Sequence, residues 1–191
     1  MRLFFIRHGQ TTANLDKIYA GQSDVPLTEQ GKQEALRSRA VLDGISFDRV
    51  YSSDLSRAVM TQQIALPGET AVQTPLLREY DVGSLVGMGF QEARLKYGDG
   101  FRKMRDYTSF GGENSKMVDI RLRQFLAELE KEPCENVAVF AHFGIIHAML
   151  RVTLCAEFDR TAVACDNCSV NVFQFEGGQW RLKAWNYGVS L

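Results

Sequence analysis

Arg2-Leu3-Phe4-Phe5-Ile6-Arg7-His8-Gly9 places an apolar run between two arginines, with histidine and glycine directly behind it. It reads as a short buried strand ending at Gly9. The arrangement returns late in the chain. Asn136 to Ala141 reads as a buried strand, His142 follows at once, and a helix is predicted from about Gly144 to Leu154.

The intervening sequence supplies the rest of a layered fold. Asn14 to Pro26 is polar and carries the loop residues Gly21, Asp24 and Pro26. Thr28 is placed to cap a helix running to about Leu42, with Gly44 where a C-terminal glycine belongs. A second strand is predicted over Phe47 to Tyr51, and Ser52-Ser53-Asp54 offers a cap for a helix over Leu55 to Leu66. Ala71 to Thr74 reads as a third strand closed by Pro75. Residues 79–114 are glycine-rich and irregular, an excursion laid over one end of the sheet. Val118, Leu122, Phe125, Leu126 and Leu129 mark an amphipathic helix over Met117 to Glu132, which Pro133 stops. Val170 to Phe175 and Trp180 to Trp185 alternate around Gly177-Gly178 as a late hairpin.

Strand and helix alternate through most of this order. The expected fold class is α/β, a three-layer sandwich with a mostly parallel sheet and helices on both faces. One domain over 1–191 fits the length of 191 residues. With 22 Lys+Arg against 23 Asp+Glu, the net charge of −1 argues against nucleic-acid binding through bulk positive charge. No apolar run reaches the ~20 residues of a membrane helix, and the apolar run at Leu3 to Ile6 is short for a signal peptide. The expectation is a cytoplasmic protein with neither nucleic-acid nor membrane partners. Cys165-Asp166-Asn167-Cys168 is a single C-x-x-C without a second pair, so the cysteines are read as free thiols and no metal site is expected.

In parallel α/β sheets, ligands collect at the carboxyl ends of the strands. Arg7-His8, Ser52-Ser53 and Ala141-His142 all fall there, and Arg57 lies one turn into the helix after Ser53. Two of the chain's three histidines and two arginines should therefore face one cleft. Guanidinium groups match the oxygens of phosphate or carboxylate, and no carboxylate cluster suited to Mg²⁺ accompanies them. A histidine beside such charge can act as a nucleophile while unprotonated. A proton donor for the leaving oxygen is still needed, and Glu79 is the best-placed carboxyl.

Arg7-His8-Gly9-Gln10-Thr11 with Asn14 resembles the R-H-G-x-T-x-x-N signature of the histidine phosphatase (phosphoglycerate mutase-like) superfamily. The similarity continues in order through Gly21 to Thr28 with Gly31, Ser52 to Ala58 with Thr61, Gly112-Glu113, and Ala141 to Gly144. The resemblance implies that His8 is the nucleophile of a phosphohistidine. Arg7, Arg57 and His142 would hold the phosphoryl oxygens, Asn14 and Gln22 would line the phosphate pocket, and Glu79 would be the acid and later the base. No cofactor is implied.

Departures from the family pattern fall on Ala141, where Ser is common, on Phe143, where Gly is common, and on Asn114, where Ser is common. Leu85-Val86-Gly87 replaces a W-E-G stretch. Mutases of the family follow the acid with Arg-His-Tyr-Gly, whereas Glu79-Tyr80-Asp81-Val82-Gly83 lacks the arginine. The reading is a phosphatase acting on a small phosphorylated metabolite, such as a sugar phosphate or α-ribazole phosphate. The alternatives are a mutase-type phosphoryl transferase and a non-catalytic phosphate-binding module.

In the excursion, Arg94, Lys96, Arg102, Lys103 and Arg105 either read further anionic groups or form a solvated face. Phe90, Tyr97, Phe101, Met104 and Tyr107 offer apolar contact or pack on the sheet. Trp180 and Trp185 are read as core or as part of a homodimer surface.

Overall fold

The computed structural model describes residues 1–188 except Met104 and Arg160, together with every side chain in that range but those of Arg102 and Lys103. Roles expected of Arg102, Lys103 and Met104 lie outside the described residues.

In chain order the main elements are β1 (Arg2–Arg7), α1 (Thr12–Leu15), α2 (Glu29–Leu42), β2 (Arg49–Ser53), α3 (Ser56–Ala65), β3 (Val72–Thr74) and α4 (Phe90–Tyr97). They continue with α5 (Ser115–Leu129), β4 (Asn136–Ala141), α6 (Phe143–Leu154), β5 (Val170–Glu176) and β6 (Gln179–Tyr187). The strands form one sheet in the order β3-β2-β4-β1-β5-β6. β3, β2, β4 and β1 are parallel, and the hairpin β5-β6 adds antiparallel strands at one edge.

Alternation along the central strands assigns each face its helices. Leu3, Phe5, Val137 and Val139 pack with Val118, Leu122 and Phe125 of α5 and Ile145 and Met149 of α6. Phe4, Ile6, Ala138 and Phe140 point to the other side, against Leu42 of α2 and Ala65 of α3. A strand buried on both faces is apolar throughout, which is why β1 and β4 show no polar alternation. Among the described residues, no helix is long and apolar enough to cross a membrane.

Helix starts follow local hydrogen bonding. Thr28 Oγ1 accepts the Gly31 N–H at 3.0 Å, capping α2. Asn114 Oδ1 accepts the Met117 N–H at 3.0 Å, so asparagine caps α5 as a serine would. α3 departs from expectation, because its cap residue, Leu55, has no capping side chain. Asp54 is engaged by Arg78 through Nε at 2.8 Å and Nη2 at 2.6 Å. Asp24, from the loop before α2, instead accepts the Ser56 N–H at 3.2 Å.

The excursion consists of α4 and three 3-10 turns, at Gly83–Leu85, Asp99–Lys103 and Thr108–Phe110. Its backbone crosses itself closely: a Cβ on Gly83 would stand 1.8 Å from the Phe110 carbonyl oxygen. Both tryptophans are fastened within the chain. Trp180 Nε1 donates to Glu130 at 2.8 Å, Trp185 Nε1 donates to the Ala164 carbonyl, and both rings pack on the larger core.

Candidate active site

The parallel register decides the geometry. Arg7 of β1 pairs with Ala141 of β4, so the residues that follow, His8 and His142, emerge side by side. The His8 N–H donates to the Ala141 carbonyl at 3.0 Å, and the two imidazole centres lie 5.1 Å apart. Both rings are buried.

Their protonation states are set by different partners. His8 Nδ1 lies 2.8 Å from the Gly9 carbonyl oxygen, which can only accept. The ring is therefore protonated at Nδ1, and its lone pair sits on Nε2. Burial, then the charges of Arg57 and Arg7, hold its pKa well below the ordinary value, although the Gly9 bond works in the opposite direction. His142 is the reverse case. Arg57 Nε donates to its Nδ1 at 3.2 Å, so the neutral ring carries its proton on Nε2. Burial, Arg57 and His8, in that order, depress its pKa too. His142 Nε2 is buried with no acceptor among the described residues, and so is Arg7 Nε. A buried donor left without an acceptor costs ~1–3 kcal/mol, so these atoms suit a bound anion.

Arg57 projects from the first turn of α3 and is almost fully buried. Its Nη1 donates to Ser23 O at 2.9 Å and its Nη2 to Gly21 O at 2.8 Å. Burial lowers its pKa to about 10, countered by Glu79 and Asp24, so it remains a cation near neutrality. Gly21 permits this approach with φ +52°, and a Cβ there would stand 2.6 Å from Val82. Arg7 Nη1 donates to Cys165 O at 2.6 Å, and its guanidinium lies 5.4 Å from the centre of the Phe143 ring. Phe143 stacks in turn on His147, 4.0 Å between centres. Its bulk forms part of the cavity wall and supports Arg7.

Glu79 reaches the same cavity from the segment after β3. Its Oε1 accepts the Tyr80 N–H at 2.8 Å and its Oε2 accepts the Gly144 N–H at 3.0 Å, at the start of α6. Asn14 lines the cavity as well, with Oδ1 accepting the Thr11 N–H at 3.1 Å.

Gln22 is engaged by the segment that carries Glu79. Its Nε2 donates to the Glu79 carbonyl at 3.1 Å, and its Oε1 accepts from Arg78 at 3.4 Å. The side chain braces the Glu79 segment, and Ala20 and Gly21 form the cavity wall nearby. The described bases of the excursion also stay out of that wall. Arg94 pairs with Asp99 at 3.1 Å, Lys96 lies over Tyr97, and Arg105 pairs with Glu157 at 2.8 Å.

The family model for the histidine phosphatase superfamily (branch 1) matches residues 3–188. The chain belongs to this superfamily. Among its relatives, a 2,3-bisphosphoglycerate-dependent phosphoglycerate mutase of Xanthobacter autotrophicus is 34% identical over 163 residues, covering 78% of each chain. The broad-specificity phosphatase YOR283W of Saccharomyces cerevisiae is 32% identical over 193 residues, covering 92% of this chain and 80% of its own. In structure, the mycobacterial glucosyl-3-phosphoglycerate phosphatase superposes with a TM-score of 0.87 at 29% identity, over 97% of this chain and 98% of its own.

Within this histidine phosphatase fold, several supporting residues carry no role in the sequence reading. Thr61 Oγ1 accepts the Gly9 N–H at 3.0 Å, tying α3 to the loop that bears His8. Asn167 Nδ2 donates to the His8 carbonyl at 2.8 Å. Thus the C-x-x-C segment serves the site through an amide side chain and the Cys165 carbonyl, while Cys165 and Cys168 are buried free thiols. Arg121 forks onto Glu113 at 2.9 and 3.0 Å and donates to the Glu79 carbonyl at 3.1 Å. Glu113 Oε2 also accepts the Asp81 N–H at 2.9 Å, so this pair clamps the main chain on both sides of Tyr80. Thr61 and Glu113 were visible as motif positions. Nothing local in the sequence marks Arg121 or Asn167.

Proposed function

We propose that the chain is a metal-independent phosphatase that hydrolyses a small phosphomonoester through a phosphohistidine on His8. The observation that carries this reading is the opposite tautomers of the two adjacent imidazoles. His8 offers a lone pair at Nε2, and His142 offers an N–H there. One nitrogen is suited to attack phosphorus and the other to hold a phosphoryl oxygen.

In the first step His8 Nε2 bonds to phosphorus as the phosphorus–oxygen ester bond breaks. A proton from Glu79 passes to the leaving alcohol oxygen. Arg7, Arg57 and His142 Nε2–H face the charge that develops on the phosphoryl oxygens. In the second step water attacks phosphorus, Glu79 takes its proton, and the phosphorus–nitrogen bond breaks. Inorganic phosphate leaves and His8 is restored.

Hydrolysis is favoured over transfer to phosphoglycerate because Tyr80 follows Glu79 where the mutase pattern has arginine. Among the described residues, Arg7 and Arg57 are the only cations in the cavity wall, and both stand at the histidines. The test is phosphate release from phenyl phosphate and a panel of metabolite phosphates with a chelator present, comparing the native chain with His8→Ala. Chelator-resistant release and an acid-labile phosphoenzyme, both lost in the variant, are expected. Substantial turnover by His8→Ala would overturn the nucleophile assignment. Transfer to phosphoglycerate outpacing release to water would make the chain a mutase.

A further inference from the structure

The cavity at the histidines has a volume of about 490 Å³, within the range of a small-molecule site. Besides the residues around the histidines, its wall includes Ile18, Tyr19, Val82, Phe90, Tyr107 and Val163, with Thr11, Asn14 and Thr161 as uncharged polar members. The aromatic members form one interlocked surface. Tyr19 meets Phe90 edge-on at 4.8 Å and Tyr107 at 6.4 Å, and Tyr107 meets Tyr80 at 6.0 Å. Rings in such contacts hold one another in place, so the surface is preformed for another flat apolar group.

Charge points the same way. Among the described residues of the wall, the cations are Arg7 and Arg57, each held by main-chain carbonyls, of Cys165 for Arg7 and of Gly21 and Ser23 for Arg57. The other charged residues of the wall are Glu79 and Asp166. A carboxylate or second phosphate on the leaving group would meet like charge and apolar surface, an unfavourable exchange for its hydration.

We propose that this apolar and aromatic part of the cavity wall is a leaving-group subsite for an uncharged apolar or aromatic alcohol. The substrate class is then the phosphomonoester whose phosphate is its sole charged group. This inference rests on the phosphatase reading above.

The test compares kcat/KM of the full chain for 2-phenylethyl phosphate and 3-phosphoglycerate. Both are primary alkyl esters, so leaving-oxygen chemistry is similar and side-group recognition dominates. The phenylethyl ester should be preferred by at least about tenfold, the discrimination an apolar pocket gives for a small apolar increment. Val163→Arg, at a half-buried wall position, should shift the ratio toward 3-phosphoglycerate by about tenfold. Equal or better use of 3-phosphoglycerate by the native chain overturns the subsite while leaving the phosphatase reading intact. So does an unchanged ratio in folded Val163→Arg. If neither ester nor acetyl phosphate releases phosphate, the phosphatase reading fails. Calorimetric binding of the same two esters then decides the subsite, with tighter 3-phosphoglycerate overturning it and tighter phenylethyl phosphate upholding it.

Discussion

The Gly144 N–H donates to Oε2 of Glu79 at 3.0 Å, and a Cβ built on Gly144 would stand 2.1 Å from Oε1 of the same carboxyl group. The acid is thus seated against a backbone that tolerates no side chain. Gly144→Ala should push the carboxyl group out of line by about 1 Å and lower kcat on alkyl phosphates by ~10²-fold. Stopped assays on alkyl and aryl esters check this. Aryl esters, which need less protonation, should suffer less. Equal losses would show that the glycine serves the fold alone.

Arg57 holds three protein acceptors at once, His142 Nδ1 and the carbonyls of Ser23 and Gly21, and lines the cavity. Arg57→Lys keeps the charge but cannot reproduce the guanidinium fork. kcat should fall by about 10²–10³-fold, the loss typical of a missing transition-state donor, with a smaller change in KM. Steady-state kinetics on phenyl phosphate measure the split.

The pair Glu113–Arg121 holds the Glu79 main chain without reaching the cavity wall. Glu113→Gln should weaken the clamp and reduce kcat on alkyl esters by about tenfold, on the order of a partial misplacement of the acid. A steeper dependence of rate on leaving-group acidity is the expected signature, measured across a series of substituted aryl phosphates. A purely structural glutamate would leave that slope unchanged.

Burial lowers the pKa of both His8 and His142, with Arg57 adding to the effect at each. The unfolded chain therefore takes up their protons at higher pH than the folded one. Their contribution to stability is complete above about pH 6.5, the unperturbed histidine value, and is lost as pH falls toward the native values. Each histidine can contribute a slope of up to ~1.4 kcal/mol per pH unit in that window. Denaturant midpoints at pH 7.5 and 5.5 should differ more for the native chain than for a His8→Gln/His142→Gln variant. Identical differences would mean that the imidazoles are not held neutral.

Asn114 caps α5 from a position outside the cavity wall. Asn114→Ala should cost ~1 kcal/mol of stability, whereas Asn114→Ser should be nearly neutral. Urea unfolding compares them directly.

The legible parts of the sequence were those whose signal is local. β1 and β4 showed as apolar runs because both faces are covered, and Thr28 showed as a cap because it bonds three residues ahead. The start of α3 is only partly local: Ser53 Oγ accepts the Leu55 N–H at 3.3 Å, whereas Asp54 is captured by Arg78, 24 residues away, and Asp24 caps from a different loop. Gln22 sits within a recognisable motif, yet its amide turns to Glu79, 57 residues distant. The bases of the excursion showed only as charge. The exclusion of the described ones from the cavity wall follows from pairings such as Arg105 with Glu157, 52 residues apart.

By itself the sequence determined which residue types stand at the strand ends, since strand period and motif spacing are short-range properties. It therefore specified the layered α/β class and the pairing of two imidazoles with two arginines. The tertiary structure alone decided which nitrogen of each imidazole carries the proton, how Glu79 is seated, and that Tyr19, Phe90 and Tyr107 join the cavity wall. Each of these depends on contacts between distant segments, as when Arg57 reaches His142 across 85 residues, and such distances are set by the register of the folded sheet.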